Sequence, residues 1–336
     1  MVLAAGVSGC AAVSTAPAGT GSKPRGSTAG RIDVHQHLLP PVFLAALEKR
    51  GLSAQWAPVT WTADGALAMM DEHEIATGIL SLSAPGPHLG SDVDAKVLCR
   101  QINELQASLV QKRPERFGMF ACVPLPSIDG ALEAIAHAYD HLSTDGVVLL
   151  ANSGGIYLGD PAFDPVMDEL NRRRAVVLIH PNALVGPPAK RVRPSAVDFL
   201  LDTTRAALSL VFNEAPRRFP NIRMILSHAG GFVPYAAHRV AQQSNVADSE
   251  AMLRDLSSFY FDTALSASPT VLPSLLPFAK PGRVLFGSDW PYASTKNVGY
   301  FANHLDGYTA LDAKGHAAIN RQNAEALFPR LAGKRG

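Results

Sequence analysis

Two histidines at the end of a short apolar stretch are the first residues in this chain whose types and spacing could do chemistry. The stretch is Ile32-Asp33-Val34-His35-Gln36-His37. Side chains alternate between the faces of a β-strand, so His35 and His37 would project from one face, roughly 7 Å apart along the strand. Two imidazoles placed in this way can bind one metal ion. A half-buried strand that merely carries two histidines fits the pattern equally well, so the rest of the chain has to decide.

Three further apolar runs end on a residue that can bind a metal. They are Val176–Ile179 before His180, Ile222–Ser227 before His228, and Val284–Ser288 before Asp289. Short apolar runs of this kind are typical of strands that are buried in a parallel sheet. Four such endings in one chain favour a common site over four unrelated strands.

The elements that would position these residues alternate regularly from Arg31 onward. Strands are predicted at residues 32–37, 77–83, 117–123, 146–150, 176–180, 222–227, 259–263 and 284–289. Amphipathic stretches separate them, including one helix predicted over residues 194–219, and a glycine-rich loop is predicted at Asn152–Gly155. Since parallel neighbours need crossover helices, eight such units predict a single (β/α)8 TIM barrel over residues 31–336.

A parallel barrel gathers the carboxyl ends of its strands at one face, where active sites lie. Three imidazoles and a carboxylate would therefore converge there and would suit Zn²⁺, with Mn²⁺ as the alternative. The predicted metal ligands are His35, His37, His180 and Asp289. The same face would hold His228.

Composition excludes several other classes of protein. The 336 residues are 47% hydrophobic and 18% charged, with a net charge of +1, and the longest run of basic residues is Arg172-Arg173-Arg174. A nucleic-acid partner is therefore not expected. No apolar run approaches the length of a membrane span. The three cysteines, at positions 10, 99 and 122, are too few for a disulfide framework, which favours free thiols and a cytoplasmic location.

The first 30 residues differ from the rest, being rich in Ala, Gly, Ser and Thr without any sustained periodicity. They are predicted to be a disordered tail. Within them, Val7-Ser8-Gly9-Cys10 resembles a bacterial lipoprotein signal box, although no charged region precedes it. We therefore hypothesise that the tail is the remnant of an export signal whose start lies upstream, in which case the protein would be exported or lipid-anchored.

Four motifs around the predicted metal site resemble those of a known family. They are His35-x-His37, His180-Pro181, Ser227-His228-Ala229-Gly230-Gly231 and Gly287-Ser288-Asp289-Trp290-Pro291. Together they resemble the amidohydrolase superfamily, in particular the decarboxylase branch typified by aminocarboxymuconate semialdehyde decarboxylase. The resemblance spans about residues 31–328. Four further segments resemble 6-methylsalicylate decarboxylases: Leu158–Pro161, Asn171–Arg173, Asp202–Ala206 and Asp262–Ser266.

The resemblance implies a metal-dependent, non-oxidative decarboxylase of an ortho-hydroxy aromatic carboxylate, such as 6-methylsalicylate or a related 2-hydroxybenzoate. It also implies that His228 is an acid/base beside the ion and not a ligand. Asp289 is a competing proton donor, because a metal-bound carboxylate close to the ring could deliver the proton. Hydrolytic members with two metals often carry a lysine at the end of strand four, where Leu149–Asn152 offers none, so one ion is expected. Family members are commonly homodimers or homotetramers, and the same is expected here.

Substrate contacts are predicted for residues that follow the strands. Trp290 could stack on an aromatic ring, or it could plug the space between strand eight and its helix. Loop residues at the same face are further candidates: His88, Asn152 and Asn182. Asp262 is expected to orient a neighbouring strand or ligand through hydrogen bonds.

Two other functions are compatible with the same residues. The first is hydrolysis of a lactone or an amide by a mononuclear metal enzyme, in which Asp289 takes a proton from the attacking water. The second is a barrel kept only as a metal store or a protein-binding scaffold. That second interpretation would be favoured if one of the polar strand ends were replaced, and none is.

Overall fold

The structure is a computed structural model that describes residues 30–53, 59–184, 186–243 and 248–332. Apart from Gly30, the predicted disordered tail and the signal-like segment lie outside the described residues. No helix in the described part of the chain is long and apolar enough to cross a membrane.

Eight parallel strands form the central sheet, in the order β1-β2-β3-β4-β7-β8-β9-β10. Their bounds are β1 (Arg31–Leu38), β2 (Ile75–Leu82), β3 (Phe117–Cys122), β4 (Gly146–Leu150), β7 (Val176–His180), β8 (Arg223–Leu226), β9 (Tyr260–Asp262) and β10 (Val284–Leu285). The predicted (β/α)8 barrel is therefore confirmed, and each of its eight strands overlaps the range predicted for it.

The ring closes between β1 and the chain that continues β10. Backbone N–H groups donate across this seam from Val34 to Phe286 O (3.0 Å), from His37 to Trp290 O (2.7 Å), and from Asp289 to His35 O (2.7 Å). Strand eight was predicted to run to Asp289, but regular pairing with β9 ends at Leu285. Closure joins the chain's first strand to its last, which brings residues from both ends of the sequence to one place.

Helices surround the barrel. Their bounds are α1 (Pro41–Lys49), α2 (Ala63–Glu72), α3 (Asp92–Lys112), α4 (Ile128–His141), α5 (Asp164–Arg172), α6 (Pro194–Phe212), α7 (Ala215–Arg218), α8 (Val233–Gln243), α9 (Ser249–Leu256), α10 (Leu272–Phe278), α11 (Thr295–Asp306), α12 (Ala313–Ala317) and α13 (Asn323–Leu327). Several begin at side-chain caps; for example, Thr62 Oγ1 accepts from Gly65 N at 3.0 Å. The largest apolar cluster lies between these helices and the strands.

Two local predictions differ from the structure. The expected glycine-rich loop is a hairpin of β5 (Asn152–Ser153) and β6 (Ile156–Tyr157). Gly154 and Gly155 have φ of 63° and 88°, a left-handed pair that a tight hairpin turn requires and that glycine adopts without strain. The helix predicted over residues 194–219 is broken at Glu214, whose φ is 57°, and this residue separates α6 from α7.

The two described cysteines, Cys99 and Cys122, are free and buried, as predicted. Their sulfur atoms lie 3.6 Å apart, where α3 packs on β3. Burial, followed by the neighbouring thiol, raises the pKa of Cys122 well above its ordinary value, so this thiol stays protonated.

Candidate metal centre

Four buried side chains converge at the carboxyl ends of β1, β7 and β10. They are His35, His37, His180 and Asp289, and their potential donor atoms all lie within 4.8 Å of one another. His35 and His37 project from one face of β1, with ring centroids 4.9 Å apart. The structure therefore brings all four predicted ligands together.

The ring orientation of each histidine is fixed through its Nδ1 atom. The acceptors are Asp262 Oδ2 for His35 (2.7 Å), the Ser81 carbonyl for His37 (3.3 Å) and the Pro181 carbonyl for His180 (2.8 Å). Carbonyl and ionised carboxylate oxygens can only accept, so Nδ1 carries a proton in His35 and His180. His37 Nδ1 also lies 3.0 Å from the Ser81 hydroxyl, which donates to the Gln36 carbonyl at 3.3 Å and can therefore accept from the ring. In its neutral form, each ring can therefore present the Nε2 lone pair to an ion, the arrangement that metal-binding histidines usually show.

The distances among the donors provide a test of whether an ion fits. Ligands about 2.1 Å from a tetrahedral ion lie roughly 3.4 Å from one another. Asp289 Oδ1 lies 3.0 Å from His37 Nε2 and 3.4 Å from His35 Nε2, and the two Nε2 atoms are 3.0 Å apart. The largest separation between any two donor atoms is at most 4.8 Å. This is close to the separation of two ligands on opposite sides of an ion, which is about twice the bond length. The group therefore fits one divalent cation with coordination positions to spare.

The ionisation of the site is set by burial and by two carboxylates. Burial lowers the pKa of His37, and burial together with the neighbouring imidazoles lowers that of His180 well below its ordinary value, so both rings are neutral. Burial would also lower the pKa of His35, but Asp262 and Asp289 outweigh it and raise that pKa to about 10. Burial opposes ionisation of Asp289, yet its contacts with His228, His35 and His37 hold its pKa well below the usual range.

His228 lies beside the group and not within it. Its Nε2 is 3.4 Å from Asp289 Oδ2, whereas the other oxygen, Oδ1, faces His35 and His37. The backbone φ is 55° at His228 and 63° at Asp289, a left-handed conformation that costs energy for residues other than glycine. Such strain persists only where the surrounding structure imposes it, and here it aims both side chains at each other.

Asp262 connects the ligand group to His228. Its Oδ2 accepts a hydrogen bond from Nδ1 of His35. Its Oδ1 accepts from the backbone N–H of His228 (2.9 Å) and of Ala264 (3.0 Å). The carboxylate is fully buried. Its predicted orienting role agrees with these contacts, because one side chain fixes both His35 and the turn that carries His228.

Comparison with known proteins agrees with this geometry. A family model described as amidohydrolase matches residues 32–330. The chain belongs to the amidohydrolase family. The 6-methylsalicylic acid decarboxylase of Aspergillus aculeatus is 38% identical over 322 residues, which cover 90% of this chain and 96% of that protein.

Solved structures give the same result. An amidohydrolase II structure superposes with a TM-score of 0.82 at 30% identity and covers 89% of this chain and 99% of its own. A dihydroxybenzoic acid decarboxylase from Polaromonas sp., solved with manganese and 2-nitroresorcinol, shares the fold with a TM-score of 0.76 at 21% identity, covering 90% of this chain and 97% of its own. The chain is thus an enzyme of the decarboxylase branch of the amidohydrolases, in the carbon–carbon lyase class.

The predicted substrate contacts of this amidohydrolase have other partners in the structure. His88 Nε2 lies 2.7 Å from Asp92 Oδ1. Trp290 is buried in the main apolar cluster, where its ring faces Gly65, and this favours the plug over the stacking platform. Substrate contact by either residue stays a prediction.

Asn152 and Asn182 both belong to a hydrogen-bond network around Asp202 of α6. Asp202 Oδ1 accepts from Asn152 Nδ2 (2.9 Å) and from the Tyr157 hydroxyl (2.9 Å), while Oδ2 accepts from Asn182 N (2.7 Å). Asn182 Nδ2 in turn donates to the Asn152 carbonyl at 3.1 Å. The two amides therefore hold the β5–β6 hairpin against the loop after His180, and their contact with substrate also stays a prediction.

Two residues near the metal centre were not identified from the sequence. The ring of Tyr292 packs edge-on against His37, with centroids 5.4 Å apart, and burial raises the pKa of its hydroxyl. Asp33 Oδ1 accepts from the backbone of His35 and of Ser288, each at 3.0 Å, so it ties β1 to the segment that carries Asp289. Their proximity to the ligands along the chain was the available signal: Tyr292 follows Asp289 by three positions and Asp33 precedes His35 by two.

Proposed function

We propose that this enzyme is a metal-dependent, non-oxidative decarboxylase of an aromatic acid with a hydroxyl group ortho to the carboxylate, namely 6-methylsalicylate or a related 2-hydroxybenzoate. The observation that carries the proposal is the division of the site into two parts. Three imidazole nitrogens and Asp289 Oδ1 converge on one point, while His228 stays outside this group. The substrate class is supported by the names of the relatives, which act on such acids.

A divalent ion held by His35, His37, His180 and Asp289 would act as a Lewis acid on the hydroxyl and carboxylate of the substrate. Three nitrogen donors and one carboxylate suit both Zn²⁺, the ion predicted from the sequence, and Mn²⁺, which the Polaromonas structure contains. We propose a single ion of one of these two kinds. Metal analysis of the purified protein identifies which.

The central chemical difficulty is the fate of the ring carbon. Loss of CO₂ from an aromatic ring would leave a strongly basic carbanion, so the carbon that bears the carboxylate has to be protonated first. We assign this proton transfer to His228. Breaking the carbon–carbon bond then releases CO₂, and its electron pair restores the aromatic ring.

Asp289 is the weaker candidate for the proton donor. Its pKa lies well below the usual range, so the carboxyl group is ionised near neutral pH and holds no proton to give. Its Oδ2 atom lies 3.4 Å from His228 Nε2 and can instead accept a hydrogen bond from that ring. The hydrolytic alternative would use Asp289 as a base on a lactone or an amide, and it is tested by the same experiment.

The test is to incubate metal-loaded protein with 6-methylsalicylate and with other 2-hydroxybenzoates while CO₂ release is measured. The product expected from 6-methylsalicylate is 3-methylphenol, identified by chromatography. The matched control is 4-hydroxybenzoate, whose hydroxyl is too far from the carboxylate for both to bind one ion. A panel of lactones and amides run in parallel decides the alternative: turnover there without CO₂ release from any 2-hydroxybenzoate would make the enzyme a hydrolase.

A further inference from the structure

Charged side chains are scarce at the face of the barrel where a substrate must enter. This face is formed by the eight loops that lead from a barrel strand to the next helix, at residues 39–40, 83–91, 123–127, 151–163, 181–193, 227–232, 263–271 and 286–294. Within them the Asp, Glu, Lys and Arg residues are Asp160, Lys190, Arg191, Arg193 and Asp289. All three cations therefore lie in one loop, residues 181–193, which begins directly after His180.

The two carboxylates in these loops are already engaged. Asp160 Oδ1 accepts from the backbone of Ala162 at 2.9 Å, and Asp289 belongs to the metal centre. The three cations are exposed, and none forms an ion pair with any residue in the described part of the chain. The charge that the loops present to solvent is consequently positive.

The helices around the loops also bring carboxylates to this face, in their first turns. Three of these are paired: Asp92 with His88, Asp94 with Arg50, and Asp164 with Arg218. Asp64, Asp129 and Asp198 stand in the first two turns of α2, α4 and α6, where the positive end of each helix offsets part of their charge. The three carboxylates that form no ion pair with the described residues stand on three different helices, whereas the three cations stand together in one loop.

The start of the loop is fixed beside the metal centre. Asn182, two residues after His180, donates its backbone N–H to Asp202 Oδ2 at 2.7 Å. Pro187 and Pro188 restrict the chain further on, and a turn from Ala189 O to Val192 N (3.1 Å) contains two of the cations. The cations therefore lie between the end of β7 and the start of α6, on the side of the barrel where the strands end.

We propose that Lys190, Arg191 and Arg193 form a cationic rim that attracts the carboxylate anion of the substrate toward the metal centre. The proposal rests on the proposed function, since an aromatic acid is an anion near neutral pH. Unpaired charges of one sign near a cleft raise the local concentration of an oppositely charged ligand and its association rate, and salt screens the effect over about 8 Å at physiological ionic strength. The rim raises the rate at which substrate associates and does not change the rate of carbon–carbon cleavage.

The test compares two triple variants that remove the same charge. The rim variant is Lys190→Gln, Arg191→Gln, Arg193→Gln. The control is Lys112→Gln, Arg174→Gln, Lys280→Gln, three exposed residues at the opposite end of the barrel, where each lies at or just after the end of a helix and before the start of the next strand. We measure kcat and KM for the best 2-hydroxybenzoate between low and high ionic strength, together with inhibition by the uncharged 2-hydroxybenzamide.

At low ionic strength, kcat/KM of the rim variant is expected to fall by about 3- to 10-fold, with kcat within about twofold of the unmodified enzyme. Its kcat/KM should lose most of its dependence on salt, while the control keeps the original dependence. Inhibition by the neutral amide should be the same in all three proteins. An unchanged kcat/KM and salt dependence in the rim variant, an equal fall in the control, or weaker inhibition by the amide would each overturn the proposal.

Failure of the rim and failure of the proposed function are distinguishable. If the unmodified enzyme releases no CO₂ from any 2-hydroxybenzoate, the proposed function is wrong. Calorimetric binding of 2-hydroxybenzoate itself to the metal-loaded proteins still tests the rim in that case. Equal affinity in the rim variant and the control at low salt would then reject it.

Discussion

His228 Nε2 lies 3.4 Å from Oδ2 of Asp289, the carboxylate oxygen that faces away from the predicted metal ligands. The other oxygen, Oδ1, lies 3.0 Å from His37 Nε2. One carboxylate would therefore hold the ion through one atom, and it contacts the proposed acid through the other. This geometry separates the role of His228 from that of the ligand histidines, although the centroid of each of the four rings lies within 5.0 Å of another.

Replacement of His228 by Gln should leave one ion per chain and lower kcat by a factor on the order of 10² to 10⁴, because the ring supplies a proton and not a metal ligand. Metal content by mass spectrometry and CO₂ release by the same preparation measure the two effects. His180→Gln is the matched control and should lose the ion. Loss of the ion from the His228 variant would show instead that His228 is a ligand.

Asp262→Asn should weaken metal binding by about 10- to 100-fold, because the carboxylate that orients His35 is replaced by a neutral amide. It should also lower kcat when the ion is restored in excess, since Oδ1 holds the backbone of His228 at 2.9 Å. Asp145 provides a control: it is a buried carboxylate that bonds Arg330 and the backbone of Met119. Asp145→Asn should lower stability and leave metal affinity unchanged, and equal metal loss in both variants would contradict the assignment.

Metal binding should release close to one proton per ion around neutral pH. In the ion-free protein the pKa of His35 is raised to about 10, so this ring is protonated at pH 7, whereas His37 and His180 are neutral and Asp289 is ionised. An ion needs the Nε2 lone pair of His35, so the apparent association constant should rise with pH, about tenfold per unit up to the pKa of that ring. Calorimetry in buffers with different ionisation enthalpies counts the protons, and an affinity that does not change with pH would contradict this account.

The raised pKa of His35 also predicts a change in the stability of the ion-free protein. The protonated ring contributes stability that is fully present below the pKa of the unfolded chain, near 6.5, and is lost as pH rises toward 10. The metal-loaded protein should not show this loss, because its His35 is already deprotonated. Thermal unfolding of both forms between pH 6 and 9 compares them.

Asp202→Ala should destabilise the fold by about 2 to 4 kcal/mol, because it leaves one buried and two half-buried donors without their acceptor. The donors are Asn152 Nδ2, the Tyr157 hydroxyl and Asn182 N. Asn152→Ala removes one donor of the same network and should cost less. Urea unfolding of the metal-loaded proteins measures both, and a smaller loss for Asp202→Ala than for Asn152→Ala would mean that the carboxylate is not the centre of the network.

The sequence by itself determined the barrel and the identity of its metal-capable residues. Strand periodicity is local, so the common face of His35 and His37 follows from their spacing alone. The position of His180 at a strand end is local too, and a parallel barrel then brings every strand end to one mouth, whatever the distance along the chain.

Only the tertiary structure decided what each of these residues touches. That Asp262 holds both His35 and His228, and that Asn152 and Asn182 belong to the Asp202 network, depends on contacts between segments that are far apart in sequence. Hydrogen bonds require agreement in distance and angle within a few tenths of an ångström, which a periodic pattern cannot fix. The sequence therefore indicates which residues can meet, and the closure of the barrel determines which of their atoms face each other.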